Sequence, residues 1–141
     1  MTFSLKAAAL ALGLAALSLT AVAPVANANG QISIGINADK NTDAGKALTI
    51  FNTVIANAPL GGGTGNGAKI KQHGKKNAAG VKQKGKGNGV GVIQDCNGCS
   101  TNVAQNGNNN SQSVLQFGKG AKSTVNQTGD NQAGTQIDFG F

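Results

Sequence analysis

Val92-Ile93-Gln94-Asp95-Cys96-Asn97-Gly98-Cys99, Val103-Ala104-Gln105-Asn106-Gly107-Asn108-Asn109-Asn110 and Val114-Leu115-Gln116-Phe117-Gly118-Lys119-Gly120-Ala121 repeat one pattern in one frame. Glutamine returns every eleven residues, at Gln72, Gln83, Gln94, Gln105, Gln116 and Gln127. Two residues before each stands an aliphatic side chain: Ile70, Val81, Val92, Val103, Val114 and Val125. Two residues after each come Gly74, Gly85, Cys96, Gly107, Gly118 and Gly129. Five after come Asn77, Asn88, Cys99, Asn110, Ala121 and Gln132. A fixed period of this kind marks a repeat architecture. The frame extends weakly outward, with Gly63 and Asn66 before it and Asp138 and Gly140 after it.

Each unit divides into a strand and a turn. Side chains alternate along a strand, so Asn88, Val90, Val92 and Gln94 share one face, and Gly89, Gly91 and Ile93 share the other. The regular set has one parity and points inward; the variable set points outward. Glycine at Gly74, Gly85, Gly107, Gly118 and Gly129 accepts the positive φ of a tight reversal. Helix is excluded within the array by its glycine and β-branched content. The predicted fold is all-β: a β-solenoid of eleven-residue strand–turn units, with 22 residues per rung. Two parallel sheets face each other, with cross-β order on assembly.

Stacked rungs place residue i over residue i+22, which predicts columns. Gln72, Gln94 and Gln116 form one, and Gln83, Gln105 and Gln127 form another. Asn66, Asn88 and Asn110 align at the other strand end, and Asn77 holds the same slot on the facing sheet. An amide both donates and accepts, so each interior amide is expected to bond its copy in the next layer. One such bond nets only about 1 kcal/mol, but an unpaired buried amide costs more. In-register stacking is thereby rewarded. Outward, Ile93, Leu115 and Ile137 are expected to form an exposed aliphatic column.

The flanks read differently. Lys6, the apolar run Ala7 to Val25 and Ala26-Asn27-Ala28 have the order of a secretory signal peptide spanning residues 1–28. Residues 29–60 are expected to be a leader or cap, and residues 61–141 the repeat array. In the leader, Ile32, Ile34 and Ile36 alternate with small residues and predict a short strand. Asn37 to Gly45 reads as a polar turn, and Leu48 to Ala56 as a second strand. Pro59 and Gly61-Gly62-Gly63 mark the boundary.

Composition narrows the function. The chain has no Trp or Tyr and a net charge of +7, which is +6 without Lys6. Seven lysines fall between Lys69 and Lys86. Such a block can meet anionic surfaces or serve as a solvated face. No specific nucleic-acid binding is expected, since the stacking aromatics of a single-strand binder are missing. With little apolar surface to offset chain entropy, an isolated copy is expected to be marginal. Its end strands expose edges that invite another chain, so self-assembly into a homopolymer is expected.

Gln72-His73-Gly74-Lys75-Lys76-Asn77-Ala78-Ala79, Gln105-Asn106-Gly107-Asn108-Asn109-Asn110 and Gln116-Phe117-Gly118-Lys119-Gly120-Ala121 resemble the curlin repeat. The resemblance implies a subunit of curli, the extracellular amyloid fibres of bacterial adhesion and biofilm matrix. It implies export through an outer-membrane secretion pore, accessory assembly proteins and a second curlin-type subunit. It also implies that the inward Gln and Asn residues form the polymerisation ladders. The chain departs from the pattern at Ala121, Gln132 and Asp138, and at Cys96 and Cys99. A nucleating minor subunit and an elongating major one are both compatible with these departures.

Little else suggests chemistry. Cys96 and Cys99 lie in a turn without the helix N-terminus that would activate a thiol. A local disulfide is the favoured reading, with free thiols next. His73 reads as a solvated turn residue, and no nucleophile, base and oxyanion hole are assembled. No enzyme activity, metal or cofactor is expected. The alternative function is a monomeric β-solenoid that binds polysaccharide or ice. Against it, Thr124 and Thr135 fall on opposite sheets, and aromatics are few.

Overall fold

The structure, a computed structural model, describes residues 30–54 and 65–141. The signal peptide and the Pro59–Gly63 boundary lie outside the described residues. In chain order the elements are β1 (Gln31–Asp39), α1 (Asp43–Val54), β2 (Gly67–His73), β3 (Ala78–Lys84) and β4 (Gly89–Asn97). They continue as β5 (Ser100–Asn106), β6 (Ser111–Lys119), β7 (Lys122–Thr128) and β8 (Gln132–Gly140).

From β2 onward the chain winds as a β-solenoid of about three turns. Of the strands β2 to β8, even-numbered ones enter one sheet, which β1 joins, with order β1-β8-β6-β4-β2, and odd ones the facing sheet, with order β3-β5-β7. Pairing from β2 to β8 is parallel with a constant offset of 22 residues: Val92 lies beside Val114, and Val81 beside Val103. The offset follows from the period, because two eleven-residue units close one circuit.

The inward parity packs between the sheets. Val90, Val92, Val103 and Val114 are fully buried, with Ala79, Val81 and Val125 against them. Ile70 departs from its expected core position and is 41 % exposed. It belongs to the first rung, which has β4 on one side and no described strand on the other.

The leader differs from expectation in two ways. Residues Leu48 to Val54, read as a strand, belong to α1. Thr42 caps this helix, its Oγ1 accepting from the Gly45 N–H at 3.1 Å. Thr49 and Thr53 donate to the carbonyls of Gly45 and Thr49 at 2.8 and 2.9 Å, so these β-branched residues are accommodated on the helix. Secondly, the polar turn is shorter than expected, because β1 runs through Asp39 and α1 starts at Asp43. β1 itself is not a neighbour of β2. It pairs antiparallel with β8 at the far end of the stack.

The outward column is also corrected. Ile93, Leu115 and Ile137 do align, and Ile34 of β1 continues the row. Leu115, however, is only 7 % exposed, because an isoleucine stands beside it on each flanking strand. Ile93 and Ile137 are half-buried.

Burial separates two otherwise similar aliphatic positions. Val92→Ala opens a cavity in a closed core and is expected to reduce stability by about 2 kcal/mol, whereas Ile70→Ala at the open rung should lose under about 1 kcal/mol. Urea unfolding of the two variants checks this; equal losses would contradict the burial gradient.

Candidate functional site

The distinctive chemistry of this chain is the stack of amides between its sheets. Gln72 donates to Gln94 Oε1 at 2.7 Å, and Gln94 to Gln116 Oε1 at 2.8 Å. On the facing sheet Gln83 donates to Gln105 at 3.0 Å, and Gln105 to Gln127 at 2.8 Å. All these bonds point the same way along the stack. Gln94, Gln105, Gln116 and Gln127 are buried, Gln83 is half-buried and Gln72 is exposed on the first rung.

Each buried amide has a second N–H, and it crosses between the sheets. Gln83 donates to Gly67 O at 3.0 Å, Gln94 to Ala78 O at 2.9 Å, Gln105 to Gly89 O at 3.2 Å and Gln116 to Ser100 O at 3.1 Å. These carbonyls sit at the first residue of the preceding strand. One NH₂ group therefore ties rung to rung and sheet to sheet, which exploits both donors of the amide. The sequence reading foresaw the columns but not this crossing.

The asparagines behave otherwise than expected. Asn77, Asn88 and Asn110 do not pair amide to amide. Asn88 Oδ1 accepts from the Asn110 backbone N–H at 3.0 Å, and Asn77 Oδ1 from the Cys99 N–H at 3.0 Å. The Nδ2 groups serve carbonyls near the preceding turns: Asn88 bonds Lys84 O and Gly107 O, and Asn110 bonds Gly129 O. A shorter side chain at the strand start reaches the backbone before it reaches its copy. The Asn column is thus a run of turn clamps beside the Gln columns.

Glycine at the turns answers a steric demand between layers. Gly85, at φ 104°, Gly107, at φ 141°, and Gly129, at φ 111°, stack directly. A Cβ on Gly85 would strike the Gly107 carbonyl oxygen, and one on Gly107 that of Gly129. Gly74 and Gly118 meet the Cys96 and Gly140 carbonyls in the same way. At Cys96 the strand runs on to Asn97, and the left-handed residue moves to Gly98. Cys96 and Cys99 are joined by a disulfide across this turn and pack against Ala121, which fills the next Asn slot.

Further contacts had weak or no signals in the sequence. Thr101 Oγ1 donates to Gln116 Oε1 at 2.6 Å and lies 3.3 Å from Gln94 Nε2, bridging two rungs. Asp138 stands in the Gln slot of β8, fully buried, and accepts from Gln116 at 3.4 Å and from Gln136 at 2.8 Å. A carboxylate has no N–H to pass onward, so the column ends there. His73, read as solvated, pairs with Asp95 at 2.8 Å, but both are exposed and such a pair contributes little. The lysines from Lys69 to Lys86 are exposed on the first rung and its turns. Among the described residues, no group of three His, Cys, Asp or Glu is placed to hold a metal ion.

This geometry defines a stacked-amide β-solenoid. The family model of the curlin associated repeat matches residues 63–95, a stretch that includes β2, β3 and most of β4. The match supports the resemblance to the curlin family. No curated protein and no solved structure matches the chain.

Position in the stack sets the weight of each amide. Gln105→Ala strands buried donors and acceptors on both neighbouring rungs and is expected to lower stability by about 2–4 kcal/mol, against under about 1 kcal/mol for Gln72→Ala at the exposed rung. Denaturant unfolding decides, and a Gln72 effect as large as that of Gln105 would remove the column as the source of stability.

Proposed function

We propose that this chain is a structural subunit of a secreted, curli-type amyloid fibre at a bacterial surface. One observation carries the reading: the first rung is open. β2 and β3 end their sheets, Ile70 is 41 % exposed, and among the described residues nothing donates to Gln72 Oε1 or Gln83 Oε1. A second copy stacked in frame supplies a donor to Gln72 Oε1 and buries that isoleucine. The curlin associated repeat at residues 63–95 supports the same reading.

The inward glutamines are then the polymerisation ladder, with Asn77, Asn88 and Asn110 holding the turns in register. The first-rung lysines discourage premature edge pairing by like-charge repulsion. They also offer contacts to anionic surfaces. Passage through an outer-membrane pore, accessory proteins and a second curlin-type subunit belong to this reading. Adhesion and biofilm matrix are its biological setting.

The rival is a solenoid that stays monomeric and binds a polysaccharide. The antiparallel β1, which closes one end of the stack, is the observation in its favour. Incubating purified protein with an amyloid dye separates the two. Lag-phase growth that preformed fibres shorten is expected, with a reflection near 4.8 Å along the fibre axis as for any cross-β stack. Gln83→Ala with Gln105→Ala should slow that growth. A protein that stays soluble and dye-negative with seeds present removes the fibre reading.

A further inference from the structure

The repeat occupies seven strands, β2 to β8, and seven is odd. The last rung is therefore half complete. β8 has taken its place beside β6, but among the described residues no strand follows β7 in the facing sheet. A chain continuing the eleven-residue frame would next lay a strand on β7, then one on β8. The place on β8 is instead taken by β1, which carries no repeat.

β1 runs antiparallel along β8, from Gln31 opposite Gly140 to Asp39 opposite Gln132. It also reaches β7, where the Gln31 amide accepts from the Lys122 N–H at 2.9 Å and donates to Lys122 O at 2.8 Å. α1, which follows β1, is anchored to β8 and β6. Asn52, fully buried, donates to Gly134 O at 2.9 Å and Ser111 Oγ at 3.3 Å, and accepts from Thr135 at 2.6 Å. Past the end of β1, the Lys40 N–H donates to Asn131 O at 2.6 Å and its ammonium to Asn109 at 3.3 Å.

We propose that β1 and α1 form a displaceable cap on the last rung, and that a second copy of this chain replaces it. The incoming copy lays its own β2 on β7 and its β3 on β8. This inference rests on the fibre-subunit reading. In that arrangement Ile70 of the second copy lies over Val125, Gln72 over Gln127, Val81 over Gln136 and Gln83 over Asp138. Each copy enters on the sheet opposite to its predecessor's entry, so neighbours are related by a half turn about the stack axis.

Three features favour exchange. Ile32 and Ile34 are 48 % and 46 % exposed, so the cap uncovers little further apolar surface when it leaves. Its antiparallel pairing extends neither glutamine column. Finally, among the described residues the Gln127 amide donates only to Ser111 O, at a long 3.4 Å, whereas every earlier glutamine of its column donates to the next. The Gln72 carbonyl of a second copy is the acceptor its position calls for.

Hydrogen exchange on the full chain, read beside dye-monitored growth, tests the cap. In the wild-type monomer, β1 and α1 are expected to exchange as a unit, well before β4 to β6. Asn52→Ala leaves Gly134 and Thr135 without their partner in the capped form, which should speed β1 exchange by about five- to a hundred-fold and shorten the lag. Equal protection of β1 and β4 to β6 in the monomer, or a lag that does not shorten when β1 opens, overturns the proposal. Should Asn52→Ala disrupt folding, wild-type fibres decide. β1 amides are expected to lose protection on assembly, and fibres of mixed isotope-labelled copies to show Ile70–Val125 contacts between copies. Retained β1 protection, or Ile70–Gln136 contacts from β2 stacking on β8, overturns it as well. Dye-negative chains that never form fibres refute the fibre reading itself, and this inference with it.

Discussion

A buried primary amide must find partners for two N–H groups and a carbonyl, and that requirement organises this molecule. A glutamine on the inner face of a rung meets it in two directions. One N–H goes to its copy 22 residues on, and the other to a carbonyl 16 residues back, on the facing sheet. The first bond sets the rise from layer to layer, and the second sets the gap between sheets. A slip of one residue would turn the inward glutamines outward and the strand lysines inward. The apolar core alone could not impose such register. Its central cluster is four buried valines, which pack but do not point.

The same demand explains the turns. Layers that close cannot carry a Cβ where one turn crosses the next, so glycine recurs at that slot. Asparagine serves the neighbouring position because its side chain reaches the next rung's backbone N–H. Where both are missing, at Cys96 and Cys99, a disulfide holds the reversal and the left-handed residue shifts to Gly98. The departure from the repeat is therefore local, and β4 still stacks on β6 through Asn97 and Lys119.

The two ends of the stack are unlike. Among the described residues, the first rung presents bare edges lined with lysine, while the last is half built and covered by an antiparallel strand and a helix. A solenoid of an odd number of half-rungs cannot present matching surfaces at its two ends without a half turn between copies. This follows from counting strands and needs no further assumption about side chains.

The array was legible in the sequence because its order is local and repeated. An eleven-residue period places Gln72 to Gln127 on one parity, and that parity is where the structure buries them, least at Gln72 on the open rung. The helix over Asp43–Val54 also had a signal, in Ala44, Ala47, Leu48 and Phe51 at helical spacing after the capping Thr42. Ile50, Thr49 and Val54 masked it by their strand preference. Two features had no local trace: that the Asn side chains turn to the backbone, and that β1 crosses the whole stack to lie on β8. By itself the sequence determined the rung, since period and face alternation are properties of short stretches. Only the tertiary structure decided where β1 lands, because an unpaired strand edge accepts any suitable strand, and the choice depends on which edges the completed stack leaves open.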